Sequence, residues 1–386
     1  MDATAAGVFL RYFSDLPDPR EGVTVHRLHD MVVVAVLAVI CGADGWVQVE
    51  QFGRAKARWL GTFLGLPGGV PSHDTFGRVF ARLDPAAFER CFVAWMSALV
   101  GVAGGKLIAI DGKAIRRSFE HAWDRSGMAH LVSAFVTAGG NRLVFGQLAV
   151  AGKANEIVAI PGLLALLDLH GAVVTTDAIG CQRGIAGDIV GGGGDYALPV
   201  KDNQPGLLKK VRALLDEAVL AGFAGMSRGF YEEAGEGHGR VEARRVWVTD
   251  EARWLGKGLL GKWPGLAGGS IAVVERVRQD LGDLAGKVTT ERHYYISSLK
   301  GTDARRFAGV VRGHWAVENN LHWQLDVTFA EDDRRIRKGH GAENFSRLCR
   351  LALNLLKRDT TVKAGVKTRR LNAGWDHDYL IQLIST

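Results

Sequence analysis

The sequence predicts a mixed α/β protein: a mixed sheet flanked by helices, interrupted by a strand-rich insertion and preceded by a helical domain. Two observations carry that prediction. The hydrophobic period changes from helical to alternating after the glycine break Val102–Gly105. Beyond the break, the apolar runs fall in the order three strands, helix, strand, helix, strand, and a hairpin followed by helical crossovers makes a mixed sheet.

Each segment has its own signal. In the expected N-terminal domain, residues 1–104, a first helical stretch over Val8–Phe13 is followed by a Pro-rich turn, LPDPRE. The run from His26 to Cys41 is too long for a comfortable strand and reads as a buried helix. Ser72 is a candidate N-cap for a helix whose apolar positions are Phe76, Val79, Phe80 and Leu83. Asp84-Pro85 opens another, with Phe88, Phe92, Trp95 and Leu99 as its stripe. Such a domain suits DNA binding or dimerisation. The first part of the core, 105–221, holds strands over Lys106–Ile110, Leu131–Thr137 and Leu143–Val150, the last two joined by a hairpin signal at 138–141. A helix over Ile157–Leu169, a strand over Gly171–Thr176, a glycine-punctuated helix over Gln182–Val190 and a strand over Asp195–Val200 complete it. Residues 222–299 read as the insertion, with alternation over Val241–Thr249, Ile271–Val277 and Val288–Ser297. Helix resumes over 300–358 as the second part of the core, and 359–386 is a basic tail.

Composition narrows the function classes. At 386 residues and 47% apolar, the chain can bury two or three cores and is not predominantly disordered. The longest apolar run, Met31–Ala43, is well short of the roughly 20 residues of a membrane span, and the start lacks a secretory pattern, so no membrane partner is expected. Four scattered cysteines point to a reducing cytoplasm, and a nucleoid association follows if DNA is the partner. The net charge of +7 is concentrated in residues 300–370. The clusters there, including Arg337 and Lys338, are the footprint of phosphate-backbone contact, with a solvated helix face as the plain alternative.

Three carboxylates carry the candidate chemistry. Asp111 and Asp177 each follow the end of an expected strand, where ligands gather in open sheets, and Glu318 lies in the helical segment after the insertion. Carboxylates are hard oxygen donors suited to Mg²⁺ or Mn²⁺. Two such ions can serve both the attacking and the leaving oxygen of a phosphodiester. The plain alternative for each aspartate is a turn or capping role.

Beyond single residues, the segments LIAIDGKAIRRS, VVTTDAIGCQ, GHGRVEAR and RGHWAVENNLHWQLDVTFAEDDRRIR resemble the ISAs-type insertion-sequence transposases, a branch of the Asp-Asp-Glu superfamily with H-repeat-associated relatives. The resemblance runs nearly end to end, from YFSDLPDPR to AGWDHDYLIQLI. It implies a ribonuclease-H-like core and a metal-binding, catalytic triad of Asp111, Asp177 and Glu318 holding two Mg²⁺ or Mn²⁺ ions. It also implies cleavage at element ends and strand transfer into target DNA, with DNA as partner and a homodimer assembled on it. The wider group commonly carries Tyr and Arg seven and four residues before the glutamate and Lys seven after. Here those places hold Val311, His314 and Leu325, so Arg312 is the substitute phosphate contact.

Further candidates surround this set. Lys113, Arg116, Lys201, Arg240, His238 and His314 are candidate DNA contacts, and Asp326 is a rival third acid or a supporting partner about 80° around an ideal helix from Glu318. A zinc site of His314, Glu318 and His322 would need one helix face. Trp315 and Trp323 read as core anchors before base-stacking platforms, and Trp247 likewise. No nucleotide-triphosphate loop is present, so no nucleotide cofactor is expected. The rivals are a catalytically inactive DNA-binding relic and a carboxylate-pair glycosidase, the latter disfavoured by the basic stretch.

Overall fold

The computed structural model describes residues 11–100, 106–118, 128–138, 141–150, 156–237, 239–280 and 288–385. In chain order the principal elements are α1 (Leu28–Ile40), α2 (Trp46–Ala55), α3 (His73–Arg82), α4 (Pro85–Val100), β1 (Leu107–Ala114), β2 (His130–Ala138), β3 (Asn141–Val150) and α5 (Glu156–Leu164). They continue with β4 (Val173–Thr176), α6 (Arg183–Gly191), β5 (Asp195–Val200), α7 (Pro205–Leu220), β6 (Gly229–Gly237), β7 (Arg240–Thr249), β8 (Ser270–Asp280) and β9 (Thr289–Ser297). The last are α8 (Ala304–Val317), α9 (Gly341–Arg358), α10 (Val366–Trp375) and α11 (His377–Ser385). The expected stretch over Val8–Phe13 falls largely outside the described residues.

The chain forms two compact units, and the division falls inside β1 after Asp111 and inside α8 after Ala316. The first unit combines 1–103, 112–167 and 317–386. At its centre is α1, apolar on all sides and therefore buried along nearly its whole length. The Ser72 hydroxyl accepts the Thr75 N–H, the expected cap of α3. Antiparallel β2 and β3 form the hairpin, with a register shift at Ala134/Phe135. Against α1 and β3 packs α9, a helix laced with buried polar groups. Its Asn354 side chain donates to and accepts from the Val144 backbone, and Asn344 donates to the carbonyls of Phe80 and Leu83.

That helix corrects the reading of the basic stretch. Arg347 and Arg350 are 0% exposed, bonded to Glu89 and Glu331. Arg370 is buried too, donating to the Val39 carbonyl and to Asp44. These guanidiniums hold the unit together and are not available to phosphate. In the basic stretch after α9, α10 and α11 contribute buried Ala373, Tyr379, Leu380 and Leu383.

The second unit combines 104–111 and 168–316. Its strands run in the order β1-β4-β5-β9-β8-β7-β6. The first three are parallel and the rest antiparallel, so the sheet is mixed as expected. The strand-rich block joins the core directly, because β9 pairs along β5 through Ala197↔Ser297 to Val200↔Tyr294. One face is sealed by α8, whose Phe307, Ala308 and Val310 pack with Val246, Val274 and Tyr295. Close to its C-terminal end α8 approaches β1 so tightly that a Cβ on Gly313 would lie 1.9 Å from Leu107 Cδ2. Any side chain there would force Leu107 or the helix to shift. A helix the sequence reading passed over, α7, begins with Pro205 at its first turn and buries Leu207, Leu208, Val211 and Leu215.

Candidate active site

The site grows from the parallel pair β1 and β4. Their register runs from Leu107↔Val173 to Ile110↔Thr176. Asp111 and Asp177 therefore come next after this register, on strands whose spacing is roughly 4.8 Å. Asp177 follows the end of β4 as expected, whereas Asp111 lies inside β1, which runs on to Ala114 beside β2 rather than ending before it. β4, buried throughout, ends there because the chain turns into a 3₁₀ segment, Ala178–Gly180. Asp177 Oδ1 accepts the Gly180 N–H at 3.3 Å, so the capping role considered for this residue is real and fixes the carboxylate at the strand end. The loop after β5 is tied to the same turn. Asn203 donates to the Ala178 carbonyl at 2.6 Å, and Gln204 to the Cys181 carbonyl at 3.0 Å.

Beside Asp177 lies a cavity of about 190 Å³, walled by Thr175, Thr176, Lys201, His293, His314 and Trp315 among others. Lys201 is exposed at it, as a phosphate contact requires. His314 Nδ1 is 3.1 Å from Thr175 Oγ1, which fastens α8 to the strand leading into Asp177. His293 is held below the ordinary histidine range, first by burial and then by the charges of Lys201 and Arg276. It is therefore predominantly neutral at pH 7. Trp315 is 41% exposed, with the Arg276 guanidinium 4.8 Å from its ring centroid and that of Arg244 at 5.9 Å. Trp323 is 53% exposed, so neither tryptophan is the core anchor that its apolar character suggests. Trp247 packs on Phe230 with centroids 5.3 Å apart. Arg312 is engaged by Glu233 at 2.6 Å while remaining largely exposed.

Glu318 belongs to the first unit. It is exposed and opens a π-helical run, Glu318–His322 and Gln324–Thr328, directly after α8. The sequence explains the wide turn. Val317, Leu321, Leu325 and Phe329 are all buried and recur every four residues. An ideal α-helix would rotate such a row by about 40° per step away from the core, and wider turns remove the drift. Leu325, where the wider group carries Lys, is thus a core residue. The same widening breaks the α-helical spacing on which a zinc site of His314, Glu318 and His322 depended. Lys357 donates to the Asn320 carbonyl at 2.5 Å within this run. Among the described residues, no three His, Cys, Asp or Glu side chains stand together as a ready-made ion site.

The remaining candidates fall as follows. Lys113 Nζ is turned to carboxylates, with Asp326 at 2.6 Å, Asp332 at 3.0 Å and Glu331 at 3.5 Å, and its side chain is 10% exposed. Asp326 is thereby bound to Lys113. Arg116 is exposed but paired with Asp332. Arg240 is half-buried at the start of β7, Arg337 donates to the Arg117 carbonyl, and Lys338 is exposed. His238 lies outside the described residues. Sequence reading missed His293 and Arg276. Their alternation on β8 and β9 toward one face was the available signal.

Residues 103–355 match the family described as Transposase DDE domain, and residues 10–96 match DDE_Tnp_1-associated. The chain belongs to the DDE-domain transposase family. Similarity to individual members spans nearly the whole length. It is 38% identical to the H repeat-associated putative transposase YhhI of Escherichia coli (strain K12), covering 97% of each chain. It is 39% identical to YncI of Escherichia coli O157:H7, covering 98% of this chain and 94% of that one. An uncharacterized protein in the dhlA 3′ region of Xanthobacter autotrophicus is 41% identical over 74% of this chain and 93% of its own. The transposase domain gives the mixed sheet its ribonuclease-H-like identity, and among the described residues no helix is long and apolar enough to cross a membrane.

Proposed function

We propose that this chain is an active DNA transposase of the ISAs type, cutting at the ends of an insertion sequence and joining the released 3′ hydroxyls to target DNA. The observation that supports the reading is the β1–β4 register, whose last pair, Ile110↔Thr176, stands immediately before Asp111, inside β1, and Asp177, just past the end of β4. Their donor set is hard oxygen, which fits Mg²⁺ or Mn²⁺, and Asp111, Asp177 and Glu318 are the residues that would hold the ions. Bound divalent ions supply activation of the attacking oxygen and charge neutralisation at the leaving one.

The chain's own residues do the rest. The Gly180 N–H orients the Asp177 carboxylate, and Asn203 and Gln204 hold the turn that contains it. Lys201 offers an exposed ammonium to a phosphate beside Asp177, and His314 keeps α8 in register with β4. Arg335, Lys338, Lys363 and Lys367, all exposed or half-exposed, remain for the DNA backbone once the internal arginines are set aside. The terminal inverted repeats and the target are the DNA partners, and two ends call for a homodimer in the working complex. The cytoplasm, at the nucleoid, is where that substrate lies.

The test is cleavage of a supercoiled plasmid carrying the element's terminal repeats, with Mg²⁺ or Mn²⁺. The wild type should nick at the repeat ends, and Asp111→Asn, Asp177→Asn and Glu318→Gln should bind the DNA but not cut it. Wild-type binding without nicking would instead identify an inactive DNA-binding relic.

A further inference from the structure

We propose that Lys113 is a positioning residue for the metal centre: its ammonium clamps the strand end that follows Asp111 to the π-helical segment that begins with Glu318, and it keeps a neighbouring acid cluster from competing for the ions. This rests on the functional reading above and concerns how the same site is held.

The geometry lies within the first unit. Gly112–Ala114, the end of β1, and the run from Val317 onward both belong to it. Lys113 is two residues beyond Asp111 on one strand, so the two side chains leave the strand on the same face. Its Nζ meets Asp326 on the π-helical run at 2.6 Å, together with Asp332 and Glu331 just past its end. Glu331 is itself fixed from behind, by Arg350 Nη1 at 3.0 Å and the Ser346 hydroxyl at 2.5 Å.

Three features mark this as more than one surface ion pair among many. Lys113 is shielded from solvent, whereas the adjacent pairs Arg116–Asp332 and Arg117–Asp333 are open and contribute little. The run it grips is π-helical, a rare geometry found frequently at functional sites. Its removal would also leave Asp326, Glu331 and Asp332 converging on a vacated point, an oxygen-rich cluster attractive to a divalent ion. Partners that orient metal-binding carboxylates typically change metal affinity by about 10- to 100-fold when lost.

The experiment uses the full chain and reads two quantities: Mn²⁺ binding without DNA, followed by the spectroscopic signal of the free ion, and the Mg²⁺ concentration for half-maximal nicking. Lys113→Met should raise that Mg²⁺ concentration about tenfold or more and add a Mn²⁺ site absent from the wild type. Lys113→Arg should stay within about threefold of wild type, and Asp326→Asn placed on Lys113→Met should remove the extra site. A merely structural role would lower the melting temperature and leave both metal readouts of the folded protein unchanged, which would overturn the inference. Should Lys113→Met fail to fold, Asp326→Asn alone must raise the Mg²⁺ requirement, and an unchanged value would overturn it equally. Wild-type protein that neither binds Mn²⁺ nor cuts would overturn the functional reading and this inference with it.

Discussion

Gly313 offers a quantitative test of how tightly the helix leading to Glu318 must sit on the sheet. A methyl group there would stand 1.9 Å from Leu107 Cδ2 and 3.4 Å from its Cγ. Ordinary carbon–carbon contact needs roughly 3.5–4.0 Å, so about 1.5–2 Å must be found. If Leu107 rotates away, the off-rotamer cost is about 0.5–1.5 kcal/mol. If α8 moves instead, overpacking costs about 1–3 kcal/mol. Against either stands the intrinsic gain of Ala over Gly in a helix, about 1 kcal/mol. The net change in stability from Gly313→Ala is therefore small, from a gain of about 0.5 to a loss of about 2 kcal/mol, and urea unfolding alone cannot separate the cases. The rate can. α8 carries His314 and runs directly into Glu318, and a misplacement of about 1 Å in a catalytic array costs on the order of 100-fold. Single-turnover nicking by Gly313→Ala should fall by that order, and adding Leu107→Ala, which vacates the space, should bring it back to within about tenfold of wild type. An alanine variant that nicks at the wild-type rate, or a double variant no faster than the single, would refute the packing argument.

Other perturbations follow from the same structure. Glu89→Gln leaves the fully buried Arg347, among the described residues, with only the more exposed Glu343 as a charged partner, and should cost about 3 kcal/mol or more, read by denaturant unfolding. Burial, and secondarily the charge of Arg142, pulls the Lys357 ammonium down to about 7 from its ordinary 10.5. Between those values the unfolded chain binds the extra proton, so this residue makes stability rise with pH from 7 toward 10.5, by at most about 1.4 kcal/mol per unit. Below pH 7 both states are protonated and its full cost remains. In Lys357→Met that contribution to the slope should vanish, which unfolding curves across the window will show. Ser72→Ala removes the hydroxyl that accepts the Thr75 N–H and should cost about 1 kcal/mol, measured the same way. Because Arg347, Arg350 and Arg370 are internal, the salt dependence of DNA binding should reflect far fewer phosphate contacts than the basic count between 300 and 370 suggests, as a titration of affinity against salt will report.

Much of the fold was legible because its signals are local. The all-apolar run that became α1, the Ser72 cap and the hairpin around 138–141 each depend on a few adjacent residues. The end of β4 was legible for the same reason, since its apolar run stops at Asp177, whereas β1 runs past Asp111 to Ala114 although its apolar run stops there. What sequence could not supply was the partner of a charged side chain. Arg347 and Glu89 lie 258 positions apart, and nothing local distinguishes an arginine that will be buried against a glutamate from one that will face DNA. Lys113 illustrates the same gap, since its position after Asp111 suits a phosphate contact until Asp326, Glu331 and Asp332 are brought to it. The π-helical run was hidden for another reason. Its four-residue apolar repeat is close enough to 3.6 to read as α-helix, and the accumulated drift shows only over several steps. Trp315 and Trp323 were misjudged because large apolar rings are usually buried, whereas Trp315 stands exposed among arginines.

The central claim is that Asp111, Asp177 and Glu318 hold the same ions. Replacing Mg²⁺ with Fe²⁺ and generating hydroxyl radicals at the bound metal cuts the polypeptide wherever it passes close to the ion, without any need for DNA. Fragments ending near 111, near 177 and near 318 together, all suppressed by excess Mg²⁺ and by Asp177→Asn, are the predicted outcome. Cuts near 111 and 177 with none near 318 would contradict it.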